Sequence, residues 1–213
     1  MSFTIPPLPK DLAATEDISL ILKNSDDVDE VHASNGSIAG LSMISASISD
    51  SLIEKYDVSA VNMDKLQTTI TVYKNVDFSG SKFPNSSWRN VQILSSRCGG
   101  VQMQHSSLKN VKIMHSKLEI ANFRYCKLEN VLFEGCLLDD IDFYGSTLKN
   151  VEFKDCTISL ITFAAAKMNN VDLTNSTIES INGLSSIKGA TISYDQLLQF
   201  APNLAAEAGI KVK

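Results

Sequence analysis

The chain has 213 residues, with 44% hydrophobic residues, four cysteines, one tryptophan and a formal net charge of −5 at pH 7. This is the size of one ordinary domain. The start, from Met1 through Pro6, Pro7 and Pro9 to Lys10, lacks a basic region followed by an apolar one. No stretch reaches the apolar length of a membrane span, so the expectation is a cytoplasmic protein that does not enter a membrane. Most of the net negative charge comes from residues 1–30, where Asp11, Glu16, Asp17, Asp26, Asp27, Asp29 and Glu30 face only Lys10 and Lys23. The segment is read as an N-terminal cap.

From Ile38 to Ile178 every fifth residue is apolar except Thr68. Two residues before each of these central positions stands Gly, Ala, Ser, Cys, Thr or an aliphatic residue, with Tyr56 as the one misfit. A spacing of five fits neither the helical nor the strand period. A short repeat held this long predicts a solenoid, in which each coil packs on its neighbours. Asn90, Asn110, Asn130, Asn150 and Asn170 add a second period of twenty, each followed by Val. Twenty residues make a coil of four five-residue sides, with Asn stacked above Asn at one corner, where it tolerates left-handed backbone. The 29 units from 38 to 178 make a little over seven coils, a stack roughly 34 Å long at the β spacing. No insertion interrupts residues 36–182, so a function that needs a protruding loop is disfavoured.

These residues carry a resemblance. Val131-Leu132-Phe133-Glu134-Gly135, Ile141-Asp142-Phe143-Tyr144-Gly145 and Val171-Asp172-Leu173-Thr174-Asn175 resemble pentapeptide repeats. The resemblance covers about 36–182 and departs from the family in using Val or Ile where Ala or Cys is commoner. It implies an all-β fold, a right-handed four-sided parallel β-helix solenoid with a short C-terminal helical cap. The domain reading is therefore an N-terminal cap over 1–30, a β-helix over 31–182 and a C-terminal cap over 183–213.

In the last segment Ser193-Tyr194-Asp195-Gln196 reads as a capping box. Pro202 is expected to break the following helix in two, Gly209 to stop it, and Ile210-Lys211-Val212 to form a last strand. An open coil end must be covered, or it recruits another chain. The resemblance adds a homodimer seam at the C-terminal helices, with Leu197, Leu198, Phe200 and Leu204 as its candidate residues.

No catalytic constellation is evident, and the expectation is a protein that is not an enzyme and uses no cofactor or metal. A convex rod filled with Phe and Leu offers no concavity for convergent groups. His105 and His115 are half a coil apart and cannot share a metal; no glycine-rich phosphate loop is present. Cys98, Cys126, Cys136 and Cys156 all fall at inward positions and are expected to act as small hydrophobes. Cys136 and Cys156 are one coil apart, close enough for a disulfide; parallel side chains and a reducing compartment argue against one.

Charge sorts by wall. One wall carries Asp57, Asp77, Glu119, Asp139, Asp140 and Glu179 against Arg97 and Lys117, a net of −4. The opposite wall carries Arg89, Lys109, Lys127, Lys149 and Lys167 against Asp50 and Glu129, a net of +3. The acidic wall is the candidate partner-binding surface. What the resemblance implies is DNA mimicry: binding of a bacterial type II topoisomerase, DNA gyrase or topoisomerase IV, with quinolone tolerance. The alternative is an interaction scaffold for another protein. Direct nucleic-acid binding by the basic wall ranks last, because aromatic residues do not interleave with its cations.

Overall fold

The computed structural model describes residues 3–211. Parallel strands stack in about nine turns of a β-solenoid, closed by a C-terminal helix. Register is set by the twenty-residue coil: Leu108 lies beside Leu128, and Leu128 beside Leu148. The two longest strands, Thr147–Thr162 and Lys167–Asn182, each run through several corners. Corner residues have positive φ every fifth position, which is why Asn, Asp and Gly recur there.

The central positions are buried from Ile48 to Phe163 without a break. Only Met43 and Met168, near the two ends, are partly exposed along the whole series. Phe123, Phe143 and Phe163 stack on one side of the core at 5.2 and 5.7 Å between ring centroids. Phe133 and Phe153 stack on the other at 4.8 Å. The two exceptions in the sequence rules have physical causes. Thr68 is buried because its hydroxyl lies 3.1 Å from that of Tyr73, the next central residue, which would otherwise bury an unpaired O–H. Tyr56 turns toward the N-terminal segment. Its hydroxyl accepts from Ile18 N at 3.2 Å and donates to Glu16 O at 3.0 Å. Gly36, one coil below, leaves room for the ring: a Cβ there would lie 2.5 Å from it.

The second inward position does more than stay small. The N–H groups of Val61, Val76, Ser86, Ser96, Cys126 and Cys156 donate at 2.9–3.2 Å to a serine hydroxyl one coil ahead. The hydroxyls of Ser106, Ser146 and Ser176 in turn donate to the carbonyls of Phe83, Phe123 and Phe153. These bonds satisfy buried backbone groups at the bends. Cys126, Cys136 and Cys156 aim their thiols at equivalent carbonyls. All four cysteines are free thiols. Burial pushes the Cys98 and Cys126 thiols up to about 12. The Cys156 thiol and burial raise that of Cys136.

The Asn corner is a continuous ladder. Each Nδ2 of Asn110, Asn130, Asn150 and Asn170 donates at 2.9 Å to Oδ1 of the Asn one coil below. All five residues have φ between 53° and 56°.

Both ends depart from the sequence-based expectation. The seven-coil count is too small, because pairing continues past the five-residue register. Ala13–Thr15 pairs with Val31–Ala33, an offset of eighteen. Ala190 pairs with Val171, an offset of nineteen. Helix α1 (Ile18–Ser25) covers the first coil with Ile18 and Leu22 buried; the Asp17 side chain caps it by accepting from Ser19 N at 2.8 Å. Helix α2 (Tyr194–Glu207) closes the other end, and its capping box is formed by Ser193 and Gln196. Pro202 does not divide α2: the helix continues through it, which corrects the expectation of two short helices. Packing of Phe200 and Leu204 on the core supplies stabilisation that propensity ignores. Ile210 and Lys211 form no strand, because α2 already covers the coil edge; Val212 lies outside the described residues.

Gln196 occupies the place of the next inward residue. Its Nε2 donates to Leu173 O and Ser176 O, both at 2.8 Å. The separations of twenty-three and twenty repeat those of the serine bonds, so the helix ends the coil by imitating it.

Candidate protein-binding walls

The outward residues between corners form columns, one residue per coil. The acidic candidates occupy two columns and a corner. Asp57 and Asp77 are adjacent in one column, which continues through Arg97 and Lys117 to Leu137. Glu119 and Asp139 are adjacent in the second column, and Asp140 follows at the corner with φ 54°. Glu179 stands two coils beyond Asp139, with Ser159 between. The structure therefore brings Glu119, Asp139 and Asp140 together. It sets Asp57 and Asp77 apart, across Arg97, Gly99 and Gly100.

Their surroundings differ too. Asp57 and Asp77 are half-buried and serve the backbone: each Oδ1 accepts from an N–H two residues on, of Ser59 and Ser79, at 2.9 Å. The Ser59 hydroxyl and N–H hold the Asp57 carboxyl below the usual carboxylate range. Glu119 pairs with Lys117 at 2.9 Å. Asp139 accepts from the Ser159 hydroxyl at 2.5 Å. Among the described residues, none of Asp139, Asp140 and Glu179 is in an ion pair. Two apolar side chains lie in the same wall: Ile120 is 67% exposed and Leu137 52% exposed.

The opposite wall stacks Arg89, Lys109, Glu129 and Lys149 in one column. Glu129 is shared by Lys149 at 2.9 Å and Lys109 at 3.2 Å, and these two cations hold its carboxyl below the usual range. Lys127 and Lys167 stand in the neighbouring column.

The candidate seam residues divide between two environments. Phe200 is buried against the last coil and Leu204 is partly buried there. Leu197 and Leu198 face outward, 43% and 57% exposed. Sequence reasoning missed an aromatic corner. Tyr125 stacks on His105 at 5.1 Å and meets Tyr144 edge-on at 5.7 Å, and Arg124 lies over the Tyr144 ring at 5.4 Å. The signal was available: His105 and Tyr125 are corner residues one coil apart, and Gly145 leaves room beside the Tyr125 ring. Trp88 is buried, and its Nε1 has no hydrogen-bond partner among the described residues. Among the described residues, no His, Cys, Asp and Glu side chains gather into a metal-binding group. No helix among them is long and apolar enough to cross a membrane.

A family model described as "Pentapeptide repeat region" matches residues 81–163. The match covers the middle of the solenoid, which continues on both sides of it. A sequence comparison with curated proteins finds no match. Solved structures of similar fold include HetL, a pentapeptide repeat protein involved in heterocyst differentiation regulation in the cyanobacterium Nostoc sp. strain PCC 7120. It is 14% identical, over 78% of this chain and 89% of that one, with a TM-score of 0.41. Trypsin-treated QnrB1, a plasmid-mediated fluoroquinolone resistance protein, is 21% identical over 88% and 99%, with a TM-score of 0.40. Rfr23 from the cyanobacterium Cyanothece 51142 is 9% identical over 82% and 96%, with a TM-score of 0.33.

Proposed function

We propose that this pentapeptide-repeat solenoid is a non-enzymatic, cytoplasmic protein-binding rod. Its acidic wall presents charge to a basic protein surface. The specific candidate partner is a bacterial type II topoisomerase, DNA gyrase or topoisomerase IV, bound in place of DNA. The observation that carries the reading is the flat, loopless wall on which Asp139 stacks on Glu119, with Asp140 at the adjoining corner. Adjacent carboxylates one β repeat apart offer negative charge to a groove built for phosphates. The outward Leu197 and Leu198 of α2 support a second chain joining at this end, which would bring two acidic stretches into one longer rod.

A second reading, a scaffold for a different protein, is favoured by Ile120 and Leu137. Exposed apolar side chains inside the acidic wall suit a protein interface, whose centre is apolar and whose rim is polar, better than a surrogate for a phosphate backbone.

Gyrase supercoiling, run with and without the protein and with and without a quinolone, separates the two. The mimicry reading expects the protein to compete with DNA at low salt and to lose that competition as salt screens the wall. Asp139→Lys with Asp140→Lys should abolish the effect while leaving the fold intact, since exposed charge changes move stability by under about 0.5 kcal/mol. If the wild-type protein neither alters supercoiling nor competes with DNA at low salt, topoisomerase mimicry is excluded and the scaffold reading stands.

A further inference from the structure

The acidic and basic walls lie half a coil apart, on opposite sides of one rod. We propose that they are complementary to each other, and that a second copy of this chain docks its basic wall against the acidic wall of the first, so that rods stack side by side. This inference is independent of the topoisomerase reading.

The order of charges along the two columns carries it. Toward the C-terminus the basic column runs Arg89, Lys109, Glu129, Lys149. The acidic column runs Glu119, Asp139, Ser159, Glu179. Parallel rods staggered by thirty residues, one and a half coils or about 7 Å along the axis, match these sequences member by member. Arg89 is then level with Glu119, Lys109 with Asp139 and Lys149 with Glu179; Lys117, paired with Glu119 at 2.9 Å, shares the Arg89 rung. The single acid of the basic column, Glu129, falls opposite the neutral Ser159. Both columns share the same rung spacing, so a match at one rung is kept at the next. Translation offsets the columns sideways by one two-residue step, again about 7 Å, which Lys and Arg side chains span.

Two further features favour this occupant. The basic wall holds a groove of about 270 Å³ lined by Lys109, Lys127, Glu129 and Lys149, whose lysine stems offer apolar cover. The facing wall carries the exposed Ile120 and Leu137. The contact joins two different surfaces and is not closed by a twofold axis, so it propagates. A stacked rod has its acidic wall covered, which would set self-assembly against binding of any other partner at that wall.

The test is sedimentation velocity of the full chain at about 50 and about 500 mM salt, across which the Debye length falls about threefold. Association is read as growth beyond the species at high salt, so a salt-insensitive seam through α2 does not register. The wild type should grow with concentration at low salt, and its association constant should fall about tenfold or more at high salt. Neutralising the acidic column (Glu119→Gln, Asp139→Asn, Glu179→Gln) should stop growth, as should neutralising the basic column (Arg89→Gln, Lys109→Gln, Lys149→Gln). An equimolar mixture of the two variants should form a one-to-one pair, because each retains the wall the other lacks. Circular dichroism checks that both variants keep the fold. Absence of growth in the folded wild type overturns the proposal. So does growth that persists in both variants, or a mixture that stays as unassociated as its components.

Discussion

Phe143→Ala should cost about 3–5 kcal/mol, the range for removing a buried aromatic side chain. Phe143 is fully buried, with Phe123 at 5.2 Å on one side and Phe163 at 5.7 Å on the other. Phe133 and Phe153 meet it edge-on, both at 6.2 Å. Each such ring pair is worth about 0.5–1.5 kcal/mol beyond burial. Truncation removes four pairs, and the site cannot collapse, because the coils above and below are held at a fixed spacing by backbone pairing. The upper part of the range is therefore expected. Among the described residues Phe163 meets two rings, Phe143 and Phe153, so Phe163→Ala should cost about 1 kcal/mol less than Phe143→Ala. Phe143→Leu should cost well under either alanine variant. Urea denaturation followed by far-UV circular dichroism and by fluorescence of Trp88 measures all three. A loss below roughly 1 kcal/mol for Phe143→Ala, or a larger loss for Phe163→Ala, would refute the reasoning from stacked rings.

Asn130→Ala removes two amide bonds of the ladder and puts Ala in a left-handed corner, for about 2–4 kcal/mol; Asn130→Gly should recover about 1–2 kcal/mol of this in the same denaturation assay, since Gly carries no left-handed penalty. Ser146→Ala leaves the Cys126 N–H unpaired in the core, at about 1–3 kcal/mol, whereas Ser146→Cys should cost less than half as much, because Cys already fills equivalent positions; equal losses would show that the hydroxyl bond does not stabilise the bend. Hydrogen bonds from His32 to Glu54 and from Ser59 to Asp57 hold these carboxyls below their usual range. A depressed folded-state pKa stabilises the fold above the unfolded value and ceases to do so as pH falls through the folded one. The melting temperature should therefore hold above about pH 5 and fall below about pH 4, and a melting temperature that is highest at pH 3 would contradict the assignment.

The repeat was legible because a solenoid makes its core from local sequence. Each central residue faces inward by its place within five residues, and each Asn reaches the corner by its place within twenty. Burial, the phenylalanine stacks, the ladder and the sorting of charge onto walls all follow from counting, as Phe143, Asn130 and Lys109 show. The ends were not legible in that way, because there the count fails. Pairing offsets of eighteen at Ala13 and nineteen at Ala190 leave no period to read. Only the tertiary structure places Tyr56 over Gly36, carries α2 through Pro202 and makes Gln196 imitate a coil residue. Corner chemistry lay between these extremes. The positions of His105 and Tyr125 were countable, but their stacking depends on a ring orientation that periodicity does not contain. The acidic wall divides the same way. Sequence assigned its six carboxylates to one side. Side-chain geometry then turned Asp57 and Asp77 toward their own backbone and left Glu119, Asp139 and Asp140 grouped at the surface, because hydrogen bonding depends on distances of a few ångströms that a residue count does not specify.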